Sequence, residues 1–268
     1  MNAAAPRVHR CEPVMGTLAT VELYDPVPDG EADRLVDEVF AWLHEVDHRF
    51  STYKQDSEVN RLHRGELRLP HCSADLSHVL DQCADLWQQT DGYFDIYATG
   101  RLDPSGYVKG WSVQVASERL TAAGAVNHYV DAGGDIQTRG RPAPDDEWQI
   151  GIRHPWERDK ICWLLGGTDL AIATSGLYER GLHVINPRTG TPAELLRSVT
   201  VVGHDLGVAD AYATAVVAMG RSGLSWLAQL DGHECAVVLE DGRGYESTGL
   251  PLAASQPRHT TTPLLTIR

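Results

Sequence analysis

Residues 199–219 constrain this chain more than any other stretch. Val199-Thr200-Val201-Val202 is an apolar run and reads as a strand. Gly203-His204-Asp205 is turn-like. The segment from Val208 to Met219 is rich in Ala and Val and lacks Pro and Gly, so it reads as a helix with Asp210 and Thr214 near its start. Residues four apart stack on one helix face. A carboxylate and a hydroxyl stacked this way offer the hard oxygen ligands that Mg²⁺ or Ca²⁺ takes. The same pair also serves as an exposed acidic residue complementing the helix dipole and a Thr bonded back to its own helix. The hexapeptide Ala209-Asp210-Ala211-Tyr212-Ala213-Thr214 leaves both readings open.

The rest of the chain gives this unit its setting. Residues 17–24 alternate with period two and read as a strand. Leu35, Val39, Trp42, Leu43 and Val46 recur at three and four between Glu31 and Phe50, an amphipathic helix. Asp56-Ser57-Glu58 opens a short helix to His63. Residues 74–90 form another helix, with Leu76, Val79, Leu80, Cys83, Leu86 and Trp87 on one face and Gly92 as its stop. Asp103-Pro104-Ser105-Gly106 has a type I turn signature and delivers Lys109 to the start of a helix from about Gly110 to Ala123. A Lys there opposes the helix dipole, which points to an anion at that end.

Gly133-Gly134-Asp135 follows a strand at Tyr129-Val130 and makes either a plain turn or a close backbone approach to a ligand. Residues 148–152 and 170–173 read as strands. The second ends in Thr174-Ser175-Gly176, whose N–H groups can cradle phosphate. Residues 182–185 read as a strand carrying His183, shortly after Arg180, a candidate phosphate partner. Cys235 to Leu239 is a strand before a turn at Asp241-Gly242, and the tail after Ser255 reads as loosely ordered. Neither a repeat nor a dividing linker is evident. The pattern is α+β, with mixed or antiparallel sheets and packed helices in one compact unit.

A net charge of −14 argues against nucleic acid or anionic membrane as a partner. It leaves room for an anionic small ligand, because exposed charges are screened beyond roughly 8 Å. The five cysteines are scattered and form no CxxC, which fits reduced thiols in the cytoplasm. No apolar run reaches membrane-spanning length, and residues 1–10 lack the apolar core of a secretion signal.

Five stretches, taken in order, resemble the ApbE family, the FAD:protein FMN transferases. They are Met15-Gly16-Thr17, residues 103–110, Gly133-Gly134-Asp135, Thr174-Ser175-Gly176 leading to His183, and residues 209–214. The resemblance runs from about Met15 to about Gly249. It implies an N-terminal extension at 1–14, a flavin transferase domain at 15–250 and a tail at 251–268, with FAD bound in a central cleft. By resemblance, the FAD contacts fall on Met15, Tyr53, Tyr93, Phe94, Asp95, Asp103, Lys109, Thr174, Ser175, Gly176, Arg180 and Val184. Asp210 and Thr214 would hold Mg²⁺ through side chains, and Gly106 and Ala213 through carbonyls. His183 is the candidate for proton transfer, with Asp210 as the main charged catalytic group. The sequence departs from the family's usual residues at His63, Ile96, Gln114 and Asn186.

The implied reaction transfers the FMN moiety of FAD to a Thr or Ser hydroxyl of an acceptor protein and releases AMP. Two other readings use the same site: an FAD pyrophosphatase giving FMN and AMP, and an FAD-binding module without turnover. Many relatives are exported lipoproteins, and the absence of such a signal leads to the expectation of a cytoplasmic protein with no membrane span.

Overall fold

The computed structural model describes residues 5–28, 30–157, 159–176 and 184–254, and the backbone of 264–267. Numbered along the chain, the strands are β1 (Val8–Val14), β2 (Thr17–Leu23), β3 (His128–Ala132), β4 (Asp135–Arg139), β5 (Trp148–Arg153), β6 (Ile161–Gly167), β7 (Ala171–Gly176), β8 (Ile185–Asn186), β9 (Thr191–Pro192), β10 (Leu196–Gly203), β11 (Glu234–Leu239), β12 (Gly244–Ser247) and β13 (Leu264–Ile267). The helices among the described residues are α1 (Glu31–Phe50), α2 (Glu58–His63), α3 (Ala74–Gln89), α4 (Ser105–Ala122), α5 (Leu206–Met219) and α6 (Arg221–Leu227).

Nine strands make one sheet in the order β1-β2-β3-β4-β7-β10-β11-β12-β13. Neighbours are antiparallel except β12 and β13, which run parallel. β5–β6 and β8–β9 are separate two-stranded hairpins. This is the expected α+β class. Two parts of the chain join the sheet where an extension and a loose tail are expected: β1 pairs along the whole of β2, and the backbone of β13 pairs with β12. Among the described residues no helix is long and apolar enough to cross a membrane.

The central strands are apolar along their length because both sheet faces are covered. Alternate residues go to opposite sides. Ala171 and Ala173, Val199 and Val201, and Cys235, Val237 and Leu239 pack in the large core with the helices. Ile172, Val202, Ala236 and Val238 face the other way, onto Trp148, Ile150, Trp163 and Leu165 of the β5–β6 hairpin. Helix α5 lies in the large core and is buried nearly all round, as its unbroken apolar composition requires. The hairpin's far end, residues 153–156, therefore comes to rest beside the C-terminal part of β7 and the start of β10.

His128, the first residue of β3, is fully buried behind α4. Its Nδ1–H donates to the Ala125 carbonyl at 2.8 Å, and its Nε2 accepts from Ser117 Oγ at 2.7 Å. Both contacts suit the neutral ring. Burial pushes its pKa down to about 4, mainly because the charged form loses its hydration. Between pH 6.5 and about 4 the unfolded chain then holds more protons at this site than the folded chain, so folding stability falls as pH falls. The full effect is roughly 3 kcal/mol. His128→Gln is expected to flatten this dependence: in denaturant titrations, the midpoint of the variant should change less than that of wild type from pH 6.5 to 4. Parallel curves would show that the ring titrates normally.

Candidate functional site

Helices α4 and α5 meet through glycines. A β-carbon on Gly110 would collide with the Leu206 carbonyl oxygen and lie 3.0 Å from Asp210 Cβ. One on Gly207 would lie 2.7 Å from the Tyr107 ring. The two backbones thus approach more closely than side chains would allow. Helix α4 begins at Ser105, earlier than the turn signature suggests, with Asp103 Oδ1 accepting the Ser105 N–H at 3.1 Å. Lys109 therefore stands in the second turn rather than at the helix start, facing α5.

Asp205 caps α5, its Oδ1 accepting the Val208 N–H at 2.8 Å. The capping role is filled before Asp210 is reached. Asp210 is only 2 % exposed, which corrects the reading of an exposed acidic residue at the helix start. Its Oδ2 accepts the Gly110 N–H at 3.2 Å and lies 3.9 Å from Lys109 Nζ. The Lys109 ammonium is ion-paired with Asp135, a fully buried residue at the first position of β4. Besides Lys109, the Asp135 carboxyl has the Asp210 carboxyl as a close polar neighbour. Burial holds the Asp210 carboxyl well above the usual carboxylate range; the neighbouring Asp135 charge adds to this and Lys109 partly offsets it.

Two further elements complete the floor. At the C-terminal end of β7, Ser175 Oγ lies 3.2 Å from Thr214 Oγ1, one helix turn beyond Asp210. Thr174 Oγ1 and Thr200 Oγ1 are 2.9 Å apart across β7 and β10. A β-carbon at Gly106 would stand 3.1 Å from Thr214 Oγ1 and 3.3 Å from the Phe94 ring, so the glycine keeps this corner open.

Above this floor opens a cleft of about 750 Å³, within the usual range for a small-molecule site. Of the residues singled out in the sequence, Tyr93, Phe94, Asp95, Asp103, Gly106, Lys109, Thr174, Ser175, Gly176, Val184, Asp210 and Thr214 line it. Met15 does not reach the wall; it packs against the core, and its neighbours Gly16 and Thr17 line the cleft instead. Met15 and Gly16 form the two-residue β1–β2 turn with φ of 53° and 71°. That left-handed backbone is unusual for Met and turns its side chain inward, where Ser112 Oγ approaches Sδ at 3.6 Å. Tyr53 is 93 % exposed and off the cleft wall. Asn60 Nδ2 donates to the carbonyls of Thr52 and Lys54 and fixes that loop with the ring outward. Ala213 is buried inside α5 and does not line the cleft. Arg180 and His183 lie outside the described residues.

The sequence pattern of the ApbE family matches residues 15–100 and 97–238. This chain belongs to the ApbE family. It is 25 % identical over 301 residues to the FAD:protein FMN transferase of Vibrio cholerae, covering 90 % of each chain. To the protein of that name from Chlamydia trachomatis it is 29 % identical over 231 residues, covering 75 % of this chain and 69 % of the other. The solved structure of the flavin transferase ApbE from Vibrio cholerae superposes with a TM-score of 0.80 at 25 % identity, over 92 % of this chain and 99 % of that one. An ApbE protein from Thermotoga maritima shares the fold, with a TM-score of 0.78 at 20 % identity, over 90 % and 97 % of the two chains.

Where the chain departs from usual ApbE residues, each substitute has a local bond. Gln114 Oε1 accepts the Leu206 N–H at 2.7 Å and so satisfies a free donor at the start of α5. His63 Nδ1 accepts the Leu102 N–H at 3.4 Å, the Ile96 carbonyl accepts the Asp103 N–H at 2.8 Å, and Asn186 Oδ1 accepts the Arg188 N–H at 2.9 Å.

Several residues in or beside the cleft went unassigned in the sequence, Asp135 and a group of cationic and aromatic side chains among them. Asp135 was visible as the end of Gly133-Gly134-Asp135, but its partner Lys109 is 26 positions away in the chain. Arg153, His154, Trp156 and Arg197 form a second rim. Only a run of charged and aromatic residues after the β5 pattern signals the first three, and nothing local signals Arg197.

The glycine contact yields a test. Gly110→Ala is expected to push α5 away from α4 and cost about 1–3 kcal/mol, as overpacking does, measured as a drop in unfolding free energy. A variant as stable as wild type would show that the helices do not meet at this glycine.

Proposed function

We infer that this chain is an FAD:protein FMN transferase, which with Mg²⁺ moves the FMN moiety of FAD to a Thr or Ser hydroxyl of an acceptor protein and releases AMP. One observation carries the reading: the buried Lys109–Asp135–Asp210 group lies at the floor of a cleft edged by Thr174-Ser175-Gly176, in a chain whose relatives bear that name. The scattered free cysteines support a reducing compartment, the cytoplasm.

The residues present fit a divalent cation. Two buried carboxylates face one ammonium, and a buried unbalanced charge is costly until something compensates it. Thr214 Oγ1 and the Gly106 carbonyl add neutral oxygens. In an α-helix the Gly110 N–H points at the Gly106 carbonyl; here it also donates to Asp210, which ties that carbonyl's neighbourhood to the carboxyl. Ala213 fits less well, since its carbonyl lies along the interior of α5. Among the described residues no cluster of three or more His, Cys, Asp and Glu side chains could hold a metal. Such a sparse site suits Mg²⁺, which keeps water and substrate phosphates among its ligands. When bound, Mg²⁺ neutralises charge on the diphosphate oxygens and the leaving group.

The chain's own groups orient the substrate. The Thr174-Ser175-Gly176 end of β7 offers N–H and hydroxyl donors to the diphosphate, and Lys109 an ammonium. Tyr93, Phe94 and Val184 provide apolar wall for a ring system. The acceptor oxygen bonds to the riboflavin-side phosphorus as the bond from that phosphorus to the bridging oxygen breaks. AMP leaves with that oxygen. His183 is the proposed acceptor of the hydroxyl proton.

Incubation with FAD, Mg²⁺ and a Thr-bearing acceptor is expected to release AMP and add one FMN mass to the acceptor, seen by mass spectrometry. Rapid AMP release that leaves free FMN and an unmodified acceptor would make the protein a hydrolase. Intact FAD under every condition would make it a binding module.

Asp210→Asn should lower Mg²⁺-dependent AMP release by at least about 10²-fold, the size expected when one preorganised electrostatic partner is removed. Its melting temperature should hold or rise, because an amide beside Asp135 needs neither a proton nor a counter-charge to stay buried. Full activity in this variant would sink the assignment of Asp210.

A further inference from the structure

The β5–β6 hairpin has one covered edge and one open edge. Along β6, the Gly166 N–H donates to the Pro251 carbonyl at 2.8 Å and the Ala253 N–H to the Leu164 carbonyl at 2.9 Å, so the backbone groups of Leu164 and Gly166 face away from β5. In an antiparallel ladder, opposite residues either bond each other or both face outward. Gly151 and Gln149 stand opposite Leu164 and Gly166, so their N–H and C=O groups point out of the other side of the hairpin. Arg153 continues the alternation, since the next residue, His154, donates its N–H back to the Lys160 carbonyl at 2.9 Å. Among the described residues no strand pairs with this edge, and Gln149, Gly151 and Arg153 are all exposed. Natural proteins blunt such edges with Pro, Lys or a covering loop. Strand β1, at one edge of the large sheet, follows that rule: its two-residue turn pairs Val14 with Thr17, so His9, Cys11 and Pro13 face outward, and Pro13 offers no N–H. Strand β5 holds neither Pro nor Lys, and Gly151 stands near its centre.

The open edge overlooks a bare part of the large sheet. Trp148, at the start of β5, packs on Tyr24 and Tyr129, with ring centroids 5.1 and 6.4 Å apart. Leu18, Thr20, Glu22, Tyr129 and Asp131 share that face of β2 and β3, and Leu18 is 55 % exposed. This ledge runs into the cleft, because Thr17 at the start of β2 and Arg153 at the end of β5 both line it, with Gly16 and Gly133 beside them. Acidic groups predominate along the way. Glu22 and Asp131 lie on the ledge and Asp145, Asp146 and Glu147 lead into β5, against Arg141, Arg153 and a His9 ring 2.9 Å from Glu22.

We propose that this edge and ledge dock an extended, cationic segment of the acceptor protein, which adds as a strand to β5 and brings its Thr or Ser hydroxyl past Arg153 into the cleft. The inference rests on the transferase reading. An added strand pairs with the outward groups of Gln149, Gly151 and Arg153, a mode in which main-chain bonds supply affinity and alternate side chains meet the flanking surface. A helix is about 10–12 Å wide and spends its backbone donors on itself, so it cannot pair with this edge. A second copy of this chain, at −14, would meet the acidic flank with like charge, whereas a cationic segment meets it with opposite charge.

The test uses the full chain with FAD, Mg²⁺ and a synthetic peptide in which one Thr is flanked on both sides by about five residues of alternating Lys and Val, enough at about 3.4 Å per residue to cover Gln149 to Arg153. Wild type is compared with Gly151→Pro and Gln149→Pro. Pro is tolerated on an edge strand where its missing N–H would face solvent, so each variant removes an outward donor and leaves the β5–β6 bonds in place; the second serves if the first fails to fold. The expected result is a peptide KM raised about fivefold or more, the effect of one lost backbone hydrogen bond, with FAD affinity and acceptor-free AMP release within about twofold of wild type. A peptide with Glu in place of Lys should also show a raised KM, and equal KM for the two would overturn the cationic assignment. Methylating alternate peptide amides gives a readout that needs no protein variant: one of the two patterns should abolish docking and the other should be tolerated. Unchanged KM in the Pro variants, or equal loss from both methylation patterns, would overturn the proposal. A dimer in sedimentation that Gly151→Pro abolishes would assign the edge to a second copy and overturn it too. Wild type that binds FAD and releases AMP but never labels the peptide removes the docking proposal and leaves the flavin chemistry intact. Wild type that binds no FAD at all removes the transferase reading itself.

Discussion

Asp135 and Asp210 come from different elements, are both almost wholly buried, and share one ammonium. Two like charges this close raise each other's cost of ionisation, and burial removes the water that would otherwise relieve it. Lys109 makes the arrangement tolerable without cancelling it. A cation on the cleft floor would let both carboxyls ionise, and the raised pKa of Asp210 reflects their crowding and burial without one. Hydrophobic side chains of similar volume would pack there at lower cost. The fold therefore carries a destabilising group in its largest core, where a purely structural solution would not place one.

That demand is met only because α4 and α5 approach through Gly110 and Gly207. A larger residue at either position would widen the helix pair and draw the Gly110 N–H away from Asp210, leaving the carboxylate without its one backbone donor. The same close approach lets Gly106 leave a gap beside Thr214. Helix contact, charge balance and the open corner of the cleft are thus consequences of one steric choice. The sheet fixes the other coordinate: the Gly133-Gly134 turn brings Asp135 to the start of β4, and β7 brings Ser175 to Thr214.

Much of this was legible in the sequence, for identifiable reasons. Helix α1 shows its 3.6-residue period because one face is exposed and the other buried. The strand–turn–helix unit ending in α5 was readable from composition. Its burial was not: period and propensity identify a helix, but not whether a strand face and a second helix enclose it. An exposed Asp210 therefore stayed open beside the metal-ligand reading, and Lys109 read as a helix-start residue. Tyr53 shows the same limit, since its outward ring depends on hydrogen bonds from Asn60, seven residues on. Arg197 was beyond reach. It is the extra residue of a bulge in β10, defined by the register of a partner strand, and Leu239 and Val238 lie about forty residues away.

Net charge is a poor guide to such a cleft. At −14, the chain as a whole repels anions. Yet exposed charges fade over roughly 8 Å in physiological salt, whereas a partly enclosed cation such as Arg197, beside Trp156 and Glu240, would act on a ligand at contact and in a poorer dielectric. The local field is set by a few groups in the wall: carboxylates and an ammonium on the floor, guanidiniums on the rim. The two sides differ in sign, so a ligand with an anionic centre finds a cation-demanding floor below and cations beside it. A bound divalent ion would invert the sign of the floor and leave the whole cleft attractive to phosphate. On this reading, the acidic surface matters little to an anion beyond a few ångströms, and selection for the right one is made by the wall.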